Sequence, residues 1–131
     1  MEKKAVNPWT WQDNYGFSQA IDVQGSARTV FCSGQTPLDA DGNPQHAGDM
    51  GAQAMLALDN LETVLSQAGL KLSDVVRLNY FVTDIPAFMA SAEVWGPRLQ
   101  EAGCKPASTL LHVSGLFHPD VMIEIEATAA V

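Results

Sequence analysis

The nine residues VMIEIEATA (121–129) alternate without a break, and that alternation constrains the chain more than any other feature. Successive side chains of a strand point to opposite faces, so Ile123, Ile125 and Ala127 share one face and Glu124 and Glu126 the other. Such a strand has one side fit for a core and one side carrying two carboxylates. The fold must bury the first and find a use for the second.

The cover for the apolar side lies upstream. Ala54, Leu58, Leu61, Leu65 and Ala68 recur at alternating steps of four and three, the stripe of an amphipathic helix. Asp49 stands where an N-cap belongs, and Gly69 offers a left-handed stop. A second helix is expected from about Pro86, with Phe88, Ala92, Trp95, Leu99 and Ala102 on its stripe and Gly103 at its end. Pro97 cannot donate to the carbonyl of Glu93, which predicts a kink at Gly96-Pro97.

Further strands are expected at 17–23, 28–34, 75–83 and 108–116. The turn-like QGSA separates the first two, and PLDADGNPQHAG (37–48) reads as a surface loop. The order of elements fits an α+β fold, a mixed sheet with two helices on one face, in one domain spanning 1–131. The other sheet face would mix Phe31, Leu110 and Leu116 with Ser33, Gln35, His112 and Glu124. So mixed a face makes poor core and odd surface, and suits an oligomer interface with clefts.

Bulk properties exclude several classes. The formal charge is −8 and the seven Lys and Arg are scattered after the opening KK, which disfavours nucleic-acid binding. Nothing approaches the ~18 continuous apolar residues of a membrane span, and the N-terminal MEKKAVNPWTW lacks the apolar run of a secretory signal. The expected setting is cytoplasmic. Cys32 and Cys104 match no zinc or redox spacing and read as reduced structural thiols. His46, His112 and His118 have no ligand spacing, so no metal site is expected. Neither a phosphate-binding glycine loop nor a Gly-x-Ser-x-Gly elbow is present.

What remains is polar residues at strand ends: SGQTP (33–37), PAST (106–109) and IEIE (123–126). Together with GFSQAI (16–21), FCSGQTPLDADG (31–42) and the block ALDNLETVLSQAGLKLSDVVRLNYFVTD (57–84), they make the chain similar to the Rid/YjgF family, the reactive intermediate deaminases. The resemblance runs over nearly the whole length. It implies a chorismate-mutase-like fold and a homotrimer with small-molecule clefts between subunits. It also implies hydrolysis of enamines or imines to ketones and ammonia, with no metal or cofactor. By the same resemblance Glu124 holds the attacking water, a task that suits a carboxylate. Ser33 and Gly34 would bind substrate, and Glu126 would support Glu124 or meet a neighbouring subunit.

Three positions depart from the family pattern. Deaminating members carry an arginine directly after Pro-Ala, where it grips the substrate carboxylate; here that position is Ser108. The tyrosine before Ser-Gln is Phe17, and Leu110 stands where many members have cysteine. The expectation is therefore an imine or enamine hydrolase whose substrate lacks the usual α-carboxylate or is gripped otherwise. The alternative is a non-catalytic trimer that binds a small metabolite in the same clefts. A ribonuclease, a label sometimes attached to this family, fits the acidic charge least.

Overall fold

The alternating C-terminal segment forms β6 (Ile123–Ala130), and it lies inside the sheet. In a computed structural model that describes residues 1–131, four strands run in the order β3-β6-β4-β5, where β3 is Thr29–Gln35, β4 is Val75–Val82 and β5 is Ala107–His112. β6 is antiparallel to both its neighbours, whereas β4 and β5 are parallel. Parallel neighbours need a crossover, and α2 (Ile85–Ala90) with α3 (Ala92–Glu101) supplies it. α1 (Met50–Gln67) and these two helices cover one face of the mixed sheet, as expected.

The core lies between that face and the helices. Ile123, Ile125, Ala127 and Ala129 of β6 are buried, as are Leu78 and Val82 of β4 and Ala54, Leu58, Leu61 and Leu65 of α1. Asp49 caps α1 by accepting from the Ala52 N–H at 3.1 Å, and Asp84 caps α2 in the same way through Ala87. The chain turns left-handed at Gly69 and Gly103, where the stop signals stood.

One strand lies where none was expected, and three expectations need correction. The N-terminal Glu2–Val6 is a strand, β1, paired antiparallel with β2 (Ala20–Gln24) in a separate two-stranded ribbon. Every residue of β1 is exposed, so its sequence carries no apolar alternation to read. The strand expected at 17–23 begins only at Ala20, and the one expected at 108–116 ends at His112. The second helix breaks at Ser91 rather than kinking at Pro97, which lies inside α3. The Ser91 hydroxyl donates to the Phe88 carbonyl at 2.8 Å and accepts from the Trp95 indole N–H at 3.1 Å, pinning the corner from both sides. With α3 restarting at Ala92, the carbonyl that Pro97 leaves without a donor belongs to exposed Glu93 and can face water.

One buried polar residue fixes where β6 begins. Gln53 is wholly buried on α1; its amide donates to the carbonyls of Gln45, His46 and Asp120. Its carbonyl oxygen accepts from the Met122 N–H at 2.8 Å. An amide on the core stripe thus satisfies two loops at once and holds the residue just ahead of β6. Replacing it with leucine orphans the Met122 N–H and the Asp120 carbonyl, each worth about 1–3 kcal/mol when left buried and unpaired. We expect Gln53→Leu to lower unfolding stability by about 3 kcal/mol in denaturant titration. A loss below about 1 kcal/mol would mean that water or loop movement replaces these bonds.

Candidate functional site

Because β6 is an interior strand, its polar face is framed on both sides. Glu124 pairs with Phe81 of β4, and Glu126 with Asn79. Glu126 accepts from the Asn79 amide at 3.2 Å, while Arg77 donates to the Thr109 hydroxyl at 2.8 Å. Glu124 is the one left over: it is half-buried and makes no hydrogen bond or ion pair within the chain. Its carboxylate lies across Gly34, in the irregular stretch between Cys32 and Gln35 where β3 slips its register against β6. A Cβ at Gly34 would come 2.5 Å from Glu124 Oε2, so a side chain there would push the carboxylate out of this position. Exposed Ser33 adjoins it. The result is an open shelf that brings together Ser33, Gly34 and Glu124. Phe31, 80% exposed, and Leu111, 47% exposed, flank it on the same face.

The other three expected residues lie on the opposite face of the sheet. Ser108 pairs with Leu78 and Leu110 with Tyr80, and both β4 partners point toward the helices. Leu110 and His112 therefore do not share the face of Glu124, as the sequence reading had them; the consecutive leucines at 110 and 111 give β5 no readable phase. Leu116 falls outside the strands. The Ser108 hydroxyl donates to the Leu78 carbonyl at 2.6 Å, so its proton is already engaged.

Ser108 and Leu110 floor a cleft of about 660 Å³ between β5, the second helical layer and the N-terminal segment. Phe17 lines its wall, edge-on to Trp11 at 5.8 Å. Ser18 holds that segment against β5 by donating from its hydroxyl to the Lys105 carbonyl and from its N–H to the Pro106 carbonyl. Across the cleft Phe88 stacks on Trp95 at 4.6 Å, with Tyr80 tilted against both. Burial, and secondarily the charge that Cys104 would carry, hold the Tyr80 phenol well above its usual range and keep it protonated. Burial pushes the Cys104 thiol up to about 11, which makes it a packing group rather than a nucleophile.

The residues named from the sequence thus divide between the shelf and the cleft on opposite faces of the sheet, and Tyr80, Trp11 and Tyr15 of the cleft were not among them. Tyr80 looked like one more core aromatic in VVRLNYFVT. The signal for the others was an aromatic-rich run, WTWQDNYGF, in an otherwise polar N-terminal segment. No group of three or more His, Cys, Asp and Glu side chains converges as metal ligands would, and no helix is long and apolar enough to cross a membrane.

Comparison with known proteins places this architecture. Residues 12–131 match the sequence model of the Endoribonuclease L-PSP family. The chain is 39% identical over 126 residues to protein DfrA of Myxococcus xanthus, covering 96% of this chain and 87% of that one. It is 35% identical over 102 residues to the 3-aminoacrylate deaminase RutC of Acinetobacter baylyi, covering 78% and 79%. The crystal structure of YyfB, a conserved Rid-family protein of unknown function from Yersinia pestis, superposes with a TM-score of 0.89 at 35% identity over the full length of both chains. A polar-faced interior strand, helices on the other face and a family match across 12–131 lead to one conclusion: the chain belongs to the L-PSP, or Rid/YjgF, family.

Proposed function

We propose that the protein hydrolyses a reactive imine or enamine, R₂C=NH + H₂O → R₂C=O + NH₃, in clefts between the subunits of a homotrimer. The observation that carries this reading is the unpaired Glu124 carboxylate over Gly34. A free carboxylate on a half-open shelf is suited to hold a water and take its proton as the oxygen attacks the imine carbon. The same proton then serves the departing nitrogen. Ser33 and the Gly34 backbone supply polar contacts beside it. The likeness to a 3-aminoacrylate deaminase supports the reaction class.

Each protomer carries two half-sites on opposite sheet faces, and a closed ring of copies would set the shelf of one against the cleft of the next. The exposed Phe31 and Leu111 beside the shelf support such an interface. Two buried free thiols suit a reducing, cytoplasmic setting. Ribonuclease activity, the name attached to the family model, is not part of this reading. The cations are dispersed and several are engaged: Arg98 with Asp59 and Glu62, Arg77 with Thr109, Arg28 with the Ala68 carbonyl. No basic track for a phosphate backbone results.

A second reading, a metabolite-binding trimer without turnover, draws on Ser108, whose hydroxyl is spent on Leu78 instead of on a ligand. Ammonia release over a panel of imines separates the two. Glu124→Gln keeps shape and an acceptor but loses basicity. On an imine that the native protein turns over, we expect the variant to lose about 10²-fold or more in rate, with its melting temperature held. Unchanged turnover would reduce Glu124 to an interface charge.

The clamp position gives a further test. A hydrogen bond to a charged group contributes roughly 1.5–3 kcal/mol, and about 1.4 kcal/mol is tenfold in affinity. The native protein should therefore be at least tenfold poorer on 2-aminoacrylate-type substrates than Ser108→Arg, whose guanidinium can extend into the cleft. Robust native activity on such substrates, not raised in the variant, would show that another residue grips the carboxylate.

A further inference from the structure

We infer that the helix-side cleft holds an aryl group, so that the substrate is the imine or enamine of an aryl-bearing ketone or aldehyde, such as an arylalkyl ketone, with no carboxylate on the imine carbon. The substrate part of this inference rests on the hydrolase reading above; the aryl-binding part does not. Three observations carry it.

The first is the wall. Trp11, Tyr15, Phe17, Tyr80, Phe88 and Trp95 all line one cleft. They form two groups, Trp11 with Tyr15 and Phe17 on the N-terminal segment, and Tyr80 with Phe88 and Trp95 on the sheet and helices. Trp11 and Tyr15 remain more than half exposed, so these rings are not consumed in packing against the chain's own core. Flat π-faces on opposing walls favour a ring between them.

The second is room. The cleft holds about 660 Å³, whereas an apolar cavity of about 150 Å³ already takes benzene. Among the α3 residues that line this space, Ala92 and Gly96, one turn apart, are the small ones. A Cβ added at Gly96 would meet no atom within 4 Å. A three-carbon imino acid would leave most of such a space empty.

The third is polarity. Of the lining residues only Lys105 is cationic, and the lining also carries the acidic Asp13. Where a carboxylate clamp would stand, the Ser108 hydroxyl is turned back onto the Leu78 carbonyl. The Tyr80 hydroxyl, by contrast, has no hydrogen-bond partner in the chain, is not sealed from open space and stays protonated. It is a donor set in an aromatic wall, matched to a neutral nitrogen or carbonyl oxygen rather than to an anion's full charge.

The test uses the ketone products as stable probes and measures their binding by calorimetry to the purified native protein, Gly96→Leu and Gly96→Ala. Phenylacetone should bind at least tenfold tighter than acetone, and phenylpyruvate no tighter than phenylacetone. Gly96→Leu should weaken phenylacetone at least tenfold by filling the space. Gly96→Ala, which favours the helix over glycine, should weaken it a few-fold and serves if the leucine variant does not fold. Ammonia release from the imine of phenylacetone is then followed with the native protein. Aryl binding that Gly96 substitution blocks upholds the aryl site, and accelerated ammonia release upholds the substrate with it. The same binding without acceleration keeps the aryl site and overturns the aryl imine as substrate, and the panel of imines then decides the hydrolase reading separately. Equal binding of acetone and phenylacetone, indifference to Gly96 substitution, or phenylpyruvate at least tenfold tighter than phenylacetone overturns the inference, even if small imines are hydrolysed.

Discussion

The two-faced character of β6 is the constraint on which the rest depends. Its register fixes both the core and the site, because a slip of one residue would put Glu124 and Glu126 among the leucines of α1 and turn Ile123 and Ile125 to the open face. Ladders on both sides hold that register, to β3 and to β4. Gln53 ties down the residue before the strand. A site carboxylate is therefore positioned by the same alternation that builds the core. At Gly34 the chain then gives up a side chain altogether, so that the carboxylate has somewhere to lie.

What could be read from the sequence follows from which periodicities were strong. The α1 stripe, the cap at Asp49, the glycine stops and the phase of β6 each rest on local chemistry that the fold does not override. β1 carried no such signal, since it pairs as an exposed ribbon and buries nothing. The break at Ser91 was hidden because Pro97 is the more conspicuous residue. Yet a serine hydroxyl bonded both ways, to Phe88 and to Trp95, sets the corner. Among the candidate residues, the face of Glu124 was legible because alternation is local, whereas the approach of Gly34 to Glu124 joins distant parts of the chain and was not. Ser108 and Leu110 were legible only as positions. Their face depends on how β5 registers against β4, which no residue within TLLH announces.

The division of the expected residues between two faces changes how the site is to be understood. A shelf with a free carboxylate lacks walls, and a walled aromatic cleft lacks a base. Neither half accounts for a chemistry alone, and one protomer cannot fold them together through its own sheet. A neighbouring copy can supply what each lacks, and the exposed phenylalanine and leucine beside the shelf give that copy apolar surface to cover.

Whether the site is completed between copies is decided by the mass of the native protein in solution. Light scattering coupled to size exclusion should give three times the 14.1 kDa chain mass, independent of dilution across the micromolar range. A stable monomer at these concentrations would contradict completion between copies, because it would leave the Glu124 shelf and the Ser108 cleft on opposite sides of one sheet with nothing to join them.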